Sequence, residues 1–240
     1  MSAGYLYEVA SYQGLLDILM RMFSRGYYYY HVVELPEAKR EKWSNIDQKL
    51  IKKYLTDQSK FQRYRRKKNY NAASFFYVRW NELSFILHTD GEVLDDIDYS
   101  DKFLDIRVKP LKIPVSTVVF VMNYFHYDKK MKEKITKKGG NVDEKNAKVT
   151  VHLSEETRKG HLDVLYHVFN TMNKRKVIHE FEKMNGYPCW RGIVAQKRAI
   201  QHWMFREAEK RGIPFTDEEK KSIRFTDKRK PVSIYKEPVE

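Results

Sequence analysis

The chain has 240 residues and carries 46 Lys and Arg against 32 Asp and Glu, a formal charge of +14. With 42 % hydrophobic residues, 17 Tyr, 13 Phe and 4 Trp, it has the material for a core and is read as folded. The single cysteine, Cys189, excludes an intrachain disulfide and a multi-thiolate zinc site. The positive balance favours a polyanionic partner, nucleic acid before an acidic membrane surface.

The N-terminus has no charged region ahead of its apolar stretch, and the longest apolar run, Pro114 to Phe125, falls short of the ~20 residues that span a bilayer. The expectation is a soluble, cytoplasmic protein with no membrane partner. Leu15, Leu16, Leu19, Met20, Met22 and Phe23 recur at helical spacing and predict an amphipathic helix closed by Gly26 and packed on a sheet. Tyr27 to Leu35 is β-branched and aromatic and ends at Pro36, which predicts a first strand, with His31 a core or edge residue and not a ligand. Ser44 with Asp47 three residues on suggests a helix cap, followed by the apolar stripe Ile46, Leu50, Ile51, Tyr54 and Leu55.

A second, basic helix is expected from about Ser59. Between Lys52 and Lys68 stand eight Lys or Arg against one acid, Asp57, with Tyr54, Phe61 and Tyr64 among them. Cations neutralise phosphates and rings offer faces to bases, whereas an ordinary solvated helix face would turn its aromatics to the core. Lys60, Arg63, Arg65, Arg66, Lys67 and Lys68 are the candidate phosphate contacts, and Tyr64 or Tyr70 the candidate stacking residues. Phe75 to Trp80 and Leu83 to His88 are β runs around Asn81-Glu82, compatible with a tight hairpin or with one bulged strand.

Residues 90 to 105 are acid-rich and read as a solvated loop. His88, Asp90, Glu92, Asp95 and Asp96 are the candidate residues of a Mg²⁺- or Mn²⁺-dependent phosphodiesterase, should their carboxylates converge beside the basic segment. The expectation is that the two stretches point apart, leaving no catalytic residues, no metal site, no cofactor and no cleavage. Phe103 to Val108 and Val115 to Tyr124 predict further strands, one stopped by Pro110 and one begun after Pro114. Lys129, Lys130, Lys132, Lys134, Lys137 and Lys138 before Gly139-Gly140 suggest a basic hairpin loop, from which Val149 to Leu153 returns as a strand.

After Ser154 a period near 3.6 takes over. Leu162 to Met172, Val177 to Met184 and Ile193 to Ala208 stripe three helices, the last carrying Arg198 and Arg206, which with Lys129, Lys130 and Lys132 are further candidate nucleic-acid contacts. Thr216 with Glu219 is a capping box for a fourth. Cys189, beside Arg191, is expected to be a buried thiol. The resulting fold class is α+β: an antiparallel sheet of ferredoxin-like type with helices on one face, then a helical part. The boundaries are 1–153 for a nucleic-acid-binding α/β domain, 154–227 for a helical region and 228–240 for a basic, poorly ordered tail.

The order of YYYYHVVELP, a helix over Ile46 to Leu55, and FFYVRWNELSFILHTDG resembles the opening of the HUH-type endonucleases and transposases. Their metal-binding strand carries histidine, hydrophobe, histidine, where this chain has Glu82-Leu83-Ser84, so the resemblance implies no cleavage chemistry and no nucleophilic tyrosine. Gly26 to Tyr30, Asp47 to Tyr54 and Ser59 to Lys67 are similar to segments of uncharacterised bacterial plasmid and mobile-element proteins. The expected function is nucleic-acid binding, DNA or RNA, without catalysis, in a mobile-element or nucleoprotein setting. The alternatives are a metal-dependent nuclease and a protein-interaction subunit of a defence or ribonucleoprotein complex. Walker-type, Gly-x-Ser-x-Gly and His-Glu-x-x-His sequences are absent.

Overall fold

The structure, a computed structural model, describes residues 6–125, 148–224 and 233–236. It is α+β, with two antiparallel sheets and a helical C-terminal part. The chain divides into two compact units at Pro110/Leu111, Asn123/Tyr124 and Val149/Thr150, and residues 233–236 return to the first unit. The division does not coincide with the boundary expected at residue 153, since residues 111–123 and 150–153 group with the helices that follow.

In the first unit, α1 (Tyr12–Ser24) starts at Ser11, whose hydroxyl accepts from the Gly14 amide at 3.2 Å. It ends before Gly26 at φ 93°, a left-handed turn that glycine adopts without strain. The strands are β1 (Tyr29–Glu34), β2 (Phe75–Trp80), β3 (Leu83–His88) and the two-residue β4 (Leu104–Asp105), in the order β2-β3-β1-β4. β2 and β3 form the tight hairpin, with Trp80 opposite Leu83 and Asn81 at φ 49° in the turn. Both β1 and β2 run antiparallel to β3 and hence parallel to each other, a split β-α-β with β3 in the gap. This is the first half of a ferredoxin-like arrangement. Between β3 and β4, however, the chain forms no helix among the described residues.

The crossover from β1 to β2 holds a 3-10 turn (Glu37–Lys42), α2 (Trp43–Lys53) and α3 (Lys60–Tyr70). Ser44 does not cap α2. The preceding 3-10 turn runs straight into the helix, so Ser44 lies one residue inside it, and no side chain caps this end. Asp47 is fully buried instead. Its carboxylate accepts from Tyr77 Oη at 2.5 Å and from Arg79 Nε at 3.0 Å, and Arg79 also pairs with Glu8.

The sheet is covered on both faces, not on one. Ile51 and Tyr54 pack against Phe75, Tyr77 and Ile86. On the opposite face, α1 and its flanks meet the alternate residues, Tyr12 against Trp80, Phe23 against Tyr30 and Tyr27 against Phe76. The β2 edge is closed by residues 7–9, which run parallel to it through Val9 N–Arg79 O and Arg79 N–Tyr7 O bonds of 2.8 Å. Residues 233–236, expected in a poorly ordered tail, pair in turn with this segment: Tyr235 bridges Val9, and Lys236 reaches Glu8 at 2.5 Å.

The second sheet, most of which falls in the second unit, is built of β5 (Leu111–Val115), β6 (Val118–Phe125) and β7 (Lys148–Leu153), in that order. β5 was not expected, because Pro114 argues against a strand. It is an edge strand, where the missing amide costs no ladder bond. The strand expected over Phe103 to Val108 shrinks to β4, since Asp105 turns the chain by accepting from the Arg107 amide. The helices are α4 (Glu155–Phe169), α5 (Lys174–Glu182), α6 (Arg191–Lys210) and α7 (Asp217–Ser222), the last with the expected Thr216–Glu219 box. Leu165, Phe169, Phe181, Met184, Ile200 and Met204 form their core. Cys189 is exposed, not buried: it sits in the short link before α6, outside this core. No helix among the described residues is long and apolar enough to cross a membrane.

Candidate nucleic-acid interface

Eleven residues form α3, and none of them is buried. At 100° per residue, Phe61, Tyr64, Arg65 and Lys68 fall on one stripe, while Arg63, Arg66 and Tyr70 fall on the opposite side. The accessible areas orient the helix: Arg63 and Arg66 are half-buried, whereas Phe61 is 78 % and Tyr64 64 % exposed. The ordinary expectation for an aromatic-bearing surface helix is thereby inverted. Two arginines face the protein and the rings face water.

The inner contacts explain the orientation. Arg66 donates through both terminal nitrogens to Asp96, at 2.5 and 2.7 Å. This bidentate pair holds the Asp96 carboxyl below its usual range. Arg63 lies against the Tyr27 hydroxyl, where burial pushes the phenol up and the guanidinium opposes it. At the N-terminus the Gln62 amide donates to Ser59 Oγ while Gln62 Oε1 accepts from the Ser59 amide, a capping box. At the C-terminus Asn71 turns left-handed at φ 49°, and the chain after β3 docks there: Glu92 N donates to Asn71 O at 2.9 Å and Ala73 N to Glu92 O at 2.8 Å. Gly91 permits this approach, since a Cβ there would stand 2.5 Å from Asn71 O.

The acidic stretch and the basic helix therefore meet, contrary to the expectation that they point apart, but they meet as ion pairs. Asp96 is taken by Arg66, Asp98 and Asp101 by Lys53, and Asp90 and Asp105 by Arg107. His88, the only imidazole among the nuclease candidates, is buried between Tyr29 and Phe75, with ring centroids at 4.5 and 4.9 Å. Its Nδ1 faces the Thr89 carbonyl and its Nε2 the Tyr99 hydroxyl, both at 2.9 Å. The carbonyl can only accept, so Nδ1 carries the proton and Nε2 accepts from Tyr99. Burial pushes this imidazole down from its ordinary value, which keeps it neutral. Glu92 and Asp95 are exposed, and no three His, Cys, Asp or Glu among the described residues are grouped to hold a metal.

The remaining cations are distributed unevenly. Lys60, Arg65, Lys67 and Lys68 are exposed and have no acidic partner among the described residues. Of the six candidate phosphate contacts, these four face solvent, and Arg63 and Arg66 instead hold the helix in place. Tyr70 is 61 % exposed at the end of α3. Arg198 and Arg206 are exposed on α6 in the second unit, and Lys129, Lys130 and Lys132 lie outside the described residues. A cleft of about 590 Å³ beside the β2–β3 turn is lined by Glu34, Glu37 and Glu82 with Arg40, a balance that repels phosphate. The outward ring of Phe61 was missed as a site residue. Its sequence signal was the i, i+3 pairing with Tyr64 inside a helix too basic to bury that side.

Comparison of the chain with protein-family models, with curated proteins and with solved structures gives no match.

Proposed function

We propose that the protein binds nucleic acid through the outer face of α3 and does not cleave it, in the mobile-element or nucleoprotein setting that the sequence resemblance implies. One observation carries the reading: Lys60, Arg65, Lys67 and Lys68 are exposed without acidic partners, while five neighbouring aspartates are each paired to another cation. Positive charge is thus concentrated on the face of a helix that its own protein does not cover, as phosphate neutralisation requires. The reading without cleavage is supported by His88 being enclosed and by Asp90 and Asp96, two of the four candidate carboxylates, being engaged by Arg107 and Arg66.

The test is a salt titration of affinity for a labelled oligonucleotide. Log affinity falls linearly with log salt, and the double variant R65E/K68E lowers the slope by about 2. An unchanged slope in the double variant, or no binding at low salt, removes α3 from the reading. Incubation with Mg²⁺ or Mn²⁺ leaves the oligonucleotide intact, and cutting that is lost in Asp95→Ala would move the protein to the nuclease class.

A further inference from the structure

We infer that α3 selects unpaired strands, because Phe61 and Tyr64 form a two-ring stacking platform set among its phosphate-binding cations. The inference rests on the nucleic-acid reading above and adds to it the class of strand that is bound. Phe61 is the most informative residue. It is 78 % exposed, makes no ring contact among the described residues, and lies one helical turn from Tyr64 on the stripe shared with Arg65 and Lys68. A phenyl group has no hydrogen-bonding atom, so it can neither hold a phosphate nor read a base edge. What it offers is a π-face, and that face lies beside guanidinium and ammonium groups able to hold the backbone of the strand whose bases it covers.

Duplex DNA does not meet this arrangement, since its base faces are already stacked on one another along the axis. Engaging Phe61 and Tyr64 there would require unstacking, at a cost of a few kcal/mol per step. An unpaired strand exposes its base faces at no such cost. The helix is also held rigidly: Arg66 to Asp96, Arg63 to Tyr27 and the Asn71–Glu92 backbone bonds fix which side faces outward before any ligand arrives. A helix fixed in this way lowers the ordering cost on the protein side to that of the exposed side chains.

The experiment measures affinities of the full chain for one labelled sequence as single-stranded DNA, as single-stranded RNA and as duplex DNA, at one salt concentration. The unpaired probes bind more tightly than the duplex, and the difference between the DNA and RNA arms shows which strand the protein prefers. Phe61→Ala and Tyr64→Ala each weaken binding to the unpaired probes by about 5- to 100-fold and leave duplex affinity and the salt slope unchanged. Phe61→Trp retains binding, whereas Phe61→Leu, which keeps apolar volume but no π-face, does not. If R65E/K68E flattens the salt slope but duplex and unpaired probes bind equally, or if Phe61→Leu binds like the parent, the platform is overturned and the nucleic-acid reading survives. If no probe binds and vesicles rich in phosphatidylserine are bound through Phe61 instead, both fall.

Discussion

α2 and α3 are successive helices of eleven residues in one crossover, both carrying basic and aromatic side chains, and they deploy those side chains in opposite directions. α2, with Tyr54 at its C-terminal end, turns Trp43, Ile51 and Tyr54 inward and buries Asp47 against Arg79, so its cations are left to the surface. α3 buries nothing, is held by arginines, and leaves its rings in water. Residue type alone therefore does not say which way a helix faces. The partner across the gap decides: for α2 it is the apolar face of a sheet, and for α3 it is an aspartate loop and a tyrosine hydroxyl.

The same substitution on the two helices separates these roles most sharply. Tyr54→Ala removes a fully buried ring stacked on Phe75 and is expected to lower unfolding stability by about 3–5 kcal/mol. Phe61→Ala stays within about 0.5 kcal/mol of the parent. Urea unfolding of both variants is the measurement, and a large loss in Phe61→Ala would show that its ring belongs to the fold.

Acid separates the helices next. His88 stacks on Phe75 in the cluster that α2 covers, and its pKa is lower folded than unfolded. The unfolded chain therefore binds more protons, and the contribution is present above the ordinary value of about 6.5 and is lost as pH falls from there toward the folded value. The Arg66–Asp96 pair has the same sign but begins to fail only below the ordinary carboxylate value of about 3.9. Urea midpoints should thus fall between pH 7 and 5, less steeply in His88→Gln, while amide protection in α3 persists over that range.

The smallest effect on global stability is expected from Asp96→Asn. The pair is partly exposed, so the loss stays near or below about 1 kcal/mol. Hydrogen exchange in α3 nevertheless rises while that in α2 does not, since α3 has no buried residues to hold it once Arg66 is released. Uniform exchange in both helices would show that they unfold as one.

Much of this framework was legible before the structure. β-Forming aromatic and aliphatic runs marked Phe75–Trp80 and Leu83–His88, helical spacing marked α1 and the C-terminal helices, and Thr216 with Glu219 marked a helix start. The failures share a cause, which is that a local signal was answered by a remote partner. Pro114 reads as a strand breaker until its strand is known to lie at an edge, and Ser44 reads as a cap until the 3-10 turn before it is known. For the candidate site, the basic and aromatic residues were visible but their sidedness was not. Arg66 meets Asp96 across thirty residues, and only Gly91, a residue with no side chain to notice, lets the two segments approach.

The closure of the β2 edge bears on biosynthesis. Residues 7–9 lie between β2 and residues 234–236, so the outer side of a segment that precedes the second unit is paired by one that follows it. Between them the chain encodes the whole second unit. During synthesis the sheet of the first unit must wait with one rim open until that intervening unit has been produced. This interval, set by chain connectivity and not by any single contact, is when the nascent protein is most open to pairing with another strand.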